Sequence, residues 1–291
     1  MVNEACLNLE VKTPLKPLEE IERTLQKTYR KPLLGKFIKA IKAYHLIEPN
    51  DKIAVGISGG KDSLLLAKLF MELHKYSEIP FELEYIAMNP GWNQKNLDQL
   101  IENCRYLNIP VKIKESRIFE VTEKIAGDNP CYMCARMRRG FLYQFAKEEG
   151  CNKLALGHHF DDVIETTMLN VLYGSQFKTM VPKIEAENFS DMELIRPLVL
   201  IKEEDIIKFT SASGIQTMNC GCTVQAEKFG SKRALIKELI KKLKEDNPNV
   251  DHSIFTSATN INLNQVYGFE YNDTNKDFNQ IYEERKKKDG K

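Results

Sequence analysis

Lys52-Ile-Ala-Val-Gly-Ile57 runs into Ser58-Gly59-Gly60-Lys61-Asp62-Ser63, and that into Leu64-Leu-Leu-Ala-Lys-Leu-Phe-Met-Glu-Leu-His74. The first piece is a short, continuous apolar run, the pattern of a parallel strand buried on both faces. The last reads as a buried helix. The middle piece therefore links a strand end to a helix start, where backbone N–H groups lack intrahelical partners and the helix dipole is positive. Gly59 and Gly60 let the backbone come close to an anion. Ser58 and Ser63 add hydroxyls, and Lys61 adds a positive charge. Residues 58–63 read as a phosphate cradle. The stretch lacks the Gly-x-x-x-x-Gly-Lys-Ser/Thr spacing of a Walker A loop. A tight turn that merely holds glycines is the plain alternative.

Working outward, strand patterns cover 52–58, 81–89, 111–117, 153–159 and 193–198. Helical patterns cover 63–76, 93–107, 133–149, 161–173 and 202–213. Alternating β and α with short connections predicts an α/β fold with a doubly wound parallel sheet. Ligands of such sheets sit at the carboxyl ends of the strands. The second strand pattern ends at Met88-Asn89-Pro90, so Met88 is either a nucleoside contact or plain core. Three regions follow: an N-terminal basic helical segment at 1–50, the sheet-bearing domain at 51–220, and a C-terminal helical region with a charged tail at 221–291. An amphipathic helix is expected at Ala234–Leu243, and the tail from Glu283 to Lys291 is expected to fray.

The 291 residues fit one or two domains, with 42% hydrophobic and 29% charged residues, as in an ordinary globular protein. No apolar run approaches the ~18 residues of a membrane span, and no secretory signal is read, so the cytoplasm is expected. The net charge is +1, so any nucleic-acid footprint must be a local patch. Six basic residues and no acid lie between Lys27 and Lys42. Leu34, Phe37, Ile38 and Ile41 are at helical spacing among them, predicting an amphipathic helix. Arg30, Lys36 and Lys39 are candidates for gripping a nucleic-acid backbone; a solvated lysine face is the alternative.

The seven cysteines read as thiols or metal ligands rather than staples. Cys131 and Cys134 form a Cys-x-x-Cys at the mouth of a helix, and Cys220-Gly-Cys222 follows downstream. Three or four thiolates from two loops suit zinc or an iron–sulfur cluster, and spacing alone does not separate these. A redox dithiol is a third reading of the first pair. Cys6, Cys104 and Cys151 are isolated. Arg136, Arg138 and Arg139, expected on the first turn of that helix, suit structural salt bridges or contacts to phosphate or tRNA. Farther on, Gly157-His158-His159-Phe-Asp161-Asp162 opens a helix. One acid there serves as a cap; two histidines and two acids exceed that need, and suit Mg²⁺ on ATP phosphates or proton transfer.

The spacing Ser-Gly-Gly-x-Asp-Ser resembles the pyrophosphate loop of the PP-loop ATP pyrophosphatases, whose fold is adenine nucleotide alpha hydrolase-like. With Cys-x-x-Cys-x-Arg-x-Arg-Arg-Gly, Gly-His-His-x-Asp-Asp and the late cysteine loop, residues from about 20 to about 265 resemble the TtcA/TtuA family of tRNA thiolases. The resemblance implies an ATP-dependent tRNA sulfurtransferase using Mg²⁺ and a [4Fe-4S] cluster. It implies ATP on Ser58, Gly59, Gly60, Lys61, Asp62, Ser63, Met88 and Gly157, and catalytic roles for Lys61, Asp161 and Asp162. It further implies a cluster on Cys131, Cys134 and Cys222, with Cys220 as substitute. The substrate implied is the C2 oxygen of a tRNA pyrimidine, cytidine 32 foremost. Sulfur would come from a cysteine desulfurase or sulfide, and a homodimer is in keeping with the family. The late pair departs from the family's more usual Cys-x-x-Cys, which leaves the third ligand open. The competing readings are a lysidine-synthetase-like ligase, a PP-loop enzyme thiolating another base or a small molecule, and a zinc-stabilised RNA-binding module.

Overall fold

The computed structural model describes residues 13–119, 121, 130–218 and 230–288, without the side chains of 130–132, 230, 231 and 288. The chain begins with helix α1 (Leu18–Gln26), a π-helical turn (Arg30–Gly35) and helix α2 (Lys36–Ala43). The basic segment is thus two short pieces rather than one helix. Ile21, Leu25, Leu33 and Phe37 are fully buried in the same core as the sheet. At roughly 1.5–3 kcal/mol for each such side chain, residues 18–43 belong to the central core and do not stand apart.

The sheet then builds up as β1 (Lys52–Ile57), α3 (Lys61–Tyr76), β2 (Glu82–Asn89), α4 (Gln94–Tyr106) and β3 (Val111–Glu115). It continues with α5 (Pro130–Glu148), β4 (Lys153–Ala155), α6 (Phe160–Tyr173), β5 (Lys183–Glu185), β6 (Glu193–Ile195) and α7 (Glu203–Ser213). Strand order is β3-β2-β1-β4-β6-β5. The pairs are parallel except β5–β6, which is antiparallel. Period-2 alternation sends Ile53, Val55 and Ile57 into the core shared with α3. Ala54, Ile86, Leu154 and Leu194 face Tyr143, Phe145 and Ala146 of α5 on the other side. The doubly wound expectation holds, with β5 as an antiparallel edge that the short, half-polar Lys183-Ile-Glu185 did not announce.

Three expected strands end two or more residues early. β3 stops at Glu115, β4 at Ala155 and β6 at Ile195, against strand patterns of 111–117, 153–159 and 193–198. His159 is extended backbone that caps α6, and Pro197 has no N–H for a ladder. α5 starts at Pro130, a residue suited to a first helical position, so Arg136 to Arg139 lie in its second and third turns, not its first.

Beyond the sheet come α8 (Gly230–Asp246), α9 (Val250–Ser257), the hairpin β7 (Gly268–Tyr271) and β8 (Thr274–Asp277), and α10 (Phe278–Lys288). α8 buries Ile236 and Ile240 against Phe160 and Ile164 of α6, and α9 packs Ile254 and Phe255 on the same cluster. The hairpin turns on Asn272 and Asp273, both at positive φ (47° and 57°), the backbone that a two-residue type I′ turn demands. The C-terminal region is therefore not wholly helical. Of the tail from Glu283, the described part is helical: α10 continues to Lys288, with Ile281 buried.

Candidate functional site

The order of the strands reverses beside β1: β2 and β3 lie on one side of it, β4 on the other. Such a switch point opens a crevice at the strands' carboxyl ends. A cleft of about 340 Å³ lies there. Ser58, Asp62 and Ser63 line it from the loop after β1, and Met88 from the end of β2. Arg138, Arg139 and Leu142 line it from α5, and Gly157, His158 and Asp162 from the segment after β4.

The loop is held from within. Ser63 Oγ donates to Gly60 O at 3.0 Å and accepts from Ser58 N at 3.1 Å, and the two serine hydroxyls are 3.2 Å apart. The hydroxyls expected to reach for an anion are thus bonded to each other, and the orphan N–H groups of the first turn of α3 remain the loop's natural anion donors. Gly59 has φ +79°, and a Cβ there would stand 2.2 Å from Met218 Sδ. Met218 N also donates to Gly59 O at 3.0 Å. A Cβ on Gly157 would lie 3.1–3.2 Å from the backbone of Asp62 and Ser63. The glycine lets the segment after β4 pack directly on the loop.

Lys61 turns to Asp62 at 3.2 Å and Glu203 at 3.1 Å and is not among the cleft-lining residues. Burial opposes its charge, but the two carboxylates outweigh burial and raise its pKa. Glu203, also penalised by burial, is drawn down to about 2 by Lys61 and Lys237. Burial raises the pKa of Asp62 against the pull of Lys61 and His159. Its Oδ1 is buried without a hydrogen-bond partner.

The acidic pair divides. Asp161 Oδ2 accepts from Glu203 N at 2.7 Å, tying α6 to the start of α7. Asp162 Oδ2 accepts from His159 N at 2.9 Å, and its Oδ1 meets Arg233 Nη2 at 2.8 Å. Burial works against the Asp162 carboxylate, but His159, Arg233 and His158 together hold its pKa below the usual value. Asp162 lines the cleft and Asp161 does not. Arg233, on α8, also binds Glu165 Oε2 at 2.7 Å. Sequence reasoning missed Arg233, Met218 and Glu203. Each lies tens of residues from the motif it serves, and no local pattern marks it.

Cys134 is half-buried on α5, four residues and therefore one turn from cleft-lining Arg138. Cys131 is on the same helix three residues earlier; its side chain, and Cys220 and Cys222 altogether, lie outside the described residues. The soft thiol of Cys134, on the helix that walls the cleft, is of the ligand type that fits a cluster or zinc. Among the described residues no three His, Cys, Asp or Glu side chains are grouped to hold a metal ion. Mg²⁺ keeps water and substrate phosphates and takes one or two protein carboxylates. The unpartnered Asp62 Oδ1 fits that part.

The N-terminal candidates are elsewhere. Arg30 lines a separate groove of about 870 Å³ between residues 26–47 and the end of α3. Lys36 is bound to Asp205 at 3.3 Å. Lys39 is exposed, as are Arg136 and Arg139.

A PP-loop domain family model matches residues 17–242. The chain is 35% identical over 257 residues to a tRNA-cytidine(32) 2-sulfurtransferase of Pelobacter propionicus, covering 86% of this chain and 95% of that one. It is 37% identical over 225 residues to the protein of the same name from Geotalea uraniireducens, covering 77% and 88%. Among solved structures it is similar to the U34-tRNA thiolase NcsA from Methanococcus maripaludis with its [4Fe-4S] cluster. The TM-score there is 0.62 at 26% identity, over 83% of this chain and 77% of the other.

Proposed function

The chain belongs to the PP-loop family, alongside tRNA-cytidine(32) 2-sulfurtransferases, and from that premise we propose that it replaces the C2 oxygen of cytidine 32 in tRNA with sulfur at the expense of ATP. The observation that carries this reading is one cleft joining the loop after β1 to the thiol- and arginine-bearing helix α5.

ATP phosphates rest on the loop 58–63 at the N-terminus of α3, with Met88 and Gly157 framing the nucleotide. The C2 oxygen of the base attacks the α-phosphorus, forming a P–O bond and expelling pyrophosphate. A sulfur nucleophile then adds at C2, and AMP leaves with the oxygen. Positioning and charge neutralisation are the enzyme's main task in the first step. Lys61 holds the loop's first turn through Asp62 and Glu203 and acts as a positioning group. Asp62 and Asp162 carry the metal-binding or proton-handling roles. Asp161 fixes the frame through Glu203. Mg²⁺, when bound, offsets phosphate charge. Cys131, Cys134 and Cys222, or Cys220 in its place, would hold a [4Fe-4S] cluster, which would supply the activated sulfur.

The tRNA is held by Arg136, Arg138 and Arg139, with Arg30 and Lys39 as outer contacts. Sulfur comes from a cysteine desulfurase or sulfide, and the enzyme works in the cytoplasm as a homodimer. No helix among the described residues is long and apolar enough to cross a membrane. Residues 51–220 form the ATP-using unit, with 1–50 and 221–291 as its extensions.

The test is anaerobic purification with iron and sulfide analysis, then incubation with tRNA, Mg-ATP and sulfide and nucleoside mass spectrometry. The expected product is 2-thiocytidine, with AMP and pyrophosphate in equal amount. AMP formed without a thiolated base, or zinc in place of iron, overturns the reading.

A further inference from the structure

Among the described residues, four buried side-chain polar atoms have no hydrogen-bond partner: Asp62 Oδ1, His158 Nδ1, His159 Nδ1 and Arg196 Nε. Native folds satisfy such atoms almost without exception, so an orphan beside a cleft marks where a ligand completes the bonding. Asp62 belongs to the phosphate loop. His159 is buried below the cleft among Asp62, Asp161 and Asp162. His158 and Arg196 remain, and they are neighbours in the fold.

β4 and β6 are parallel with Ala155 opposite Ile195, and Leu156 N donates to Ile195 O at 3.0 Å. The two strands therefore leave the sheet in step. Leu156 and Arg196 are the next pair, on the face that carries α5. His158 follows two residues after Leu156, and both line the cleft. Arg196 is 7% exposed and pinned by Nη1 donating to Val181 O at 2.5 Å. Burial, then the charge of Arg139, brings its pKa to about 10, so it is a cation at neutral pH. Burial likewise dominates at His158. Asp162 pulls the other way, but Arg196, Arg233 and Arg139 reinforce burial, and the pKa falls to about 4. The imidazole is neutral at pH 7 and offers one donor and one acceptor.

A neutral ring gives little to a phosphate when guanidinium groups stand beside it. It matches a neutral partner with mixed donors and acceptors, which describes the exposed edge of an unstacked nucleobase. We propose that His158 touches the substrate, its Nδ1 hydrogen-bonding the edge of the target pyrimidine. This rests on the reading of the enzyme as a tRNA sulfurtransferase and adds to it the group that orients the base for attack through its C2 oxygen.

The test compares His158→Leu, which removes the polar atom, with His158→Asn, whose amide reaches the place of Nδ1. Both are assayed for single-turnover thiolation, ATP affinity, tRNA affinity and iron content. Losing one well-placed orienting hydrogen bond costs about a hundredfold in rate. His158→Leu is expected to show that loss with ATP and tRNA affinities within about threefold of the parent, and His158→Asn to recover about tenfold of it. Full activity of His158→Leu beside an active parent overturns this inference alone. So does a loss concentrated in ATP affinity, which makes the imidazole a nucleotide contact, or an Asn variant no better than Leu. A parent that makes no thiolated base overturns the functional reading and this inference with it.

Discussion

Asp161 and Asp162 are adjacent in the chain, and the fold gives them different work. Asp161 accepts from Glu203 N, while Asp162 faces the cleft between His159 and Arg233. Asp161→Asn keeps an oxygen for the Glu203 amide. It is expected to cost about 1 kcal/mol or less in stability, as a weakened cap does, and to leave the thiolation rate within a few-fold. Asp162→Asn removes a charge at the reacting site, and a loss of about 10²–10⁴ in rate is expected. Single-turnover thiolation and thermal melting of both variants check this; equal losses would return the catalytic role to the pair. Arg233 supplies a further test. It is one of the charges that keep Asp162 below its usual pKa against burial. In Arg233→Gln that pull is gone and the Asp162 pKa rises. If the ionised carboxylate is the working form, the acid limb of the pH–rate profile moves to higher pH. A fixed limb assigns it to another group.

At the scale of elements, the residues that specify local structure were legible and those that specify closure were not. β1, the phosphate loop and α3 could be read because burial on both faces, glycine and a helix start coincide within 52–74. α5 is legible as a helix, but the pattern starts it at 133, three residues late, because Cys-x-x-Cys reads as the mouth of the helix while Pro130 is its first residue. β5 stayed hidden because three half-polar residues at a sheet edge carry no pattern. The Asn272-Asp273 turn did carry a signal, positive-φ residue types between short strands, and it was overlooked in a polar stretch. The packing of α8 and α9 depends on partners far along the chain. Asp251, in the first turn of α9, is buried and accepts from Lys202 at 2.7 Å and Lys244 at 2.8 Å. Burial opposes its charge, but the lysines and the His252 amide win and hold its pKa far below the ordinary value. Its folded pKa is depressed, so the contribution to stability is complete above the unfolded value of about 3.9 and fades as pH falls toward the folded one. Asp251→Asn should lose about 1–3 kcal/mol at neutral pH, the lysines being partly exposed and able to regain water. Urea unfolding should show the gap between parent and variant narrowing below about pH 4. A constant gap would mean that packing, not charge, is what the substitution removes.

Across the whole molecule, 42 basic residues stand against 41 acidic ones, so no overall field draws tRNA in and binding depends on which cations are free. Sequence alone ranks Lys36 with Lys39, because both lie in a run without acids. The fold separates them: Asp205 arrives from α7 to bind Lys36, while Lys39 is exposed. Arg136 and Arg139 are exposed on the helix that walls the cleft. Each cation that neutralises a phosphate on binding releases counterions, and its loss flattens the plot of log affinity against log salt by about 0.7–0.9. Arg136→Gln and Arg139→Gln should each weaken tRNA binding and flatten the plot by about that amount. Lys36→Gln removes a charge already spent on Asp205 and leaves Asp205 unpaired. It should change the slope little, and any loss of affinity should be equal at all salt concentrations. Filter binding from about 50 to about 300 mM salt distinguishes these cases. A Lys36 variant that flattens the plot as much as the arginine variants would mean that the ion pair opens on tRNA binding and that α2 joins the interface. Flat results for the arginines would move the tRNA off α5, and with it the route by which cytidine 32 reaches the cleft.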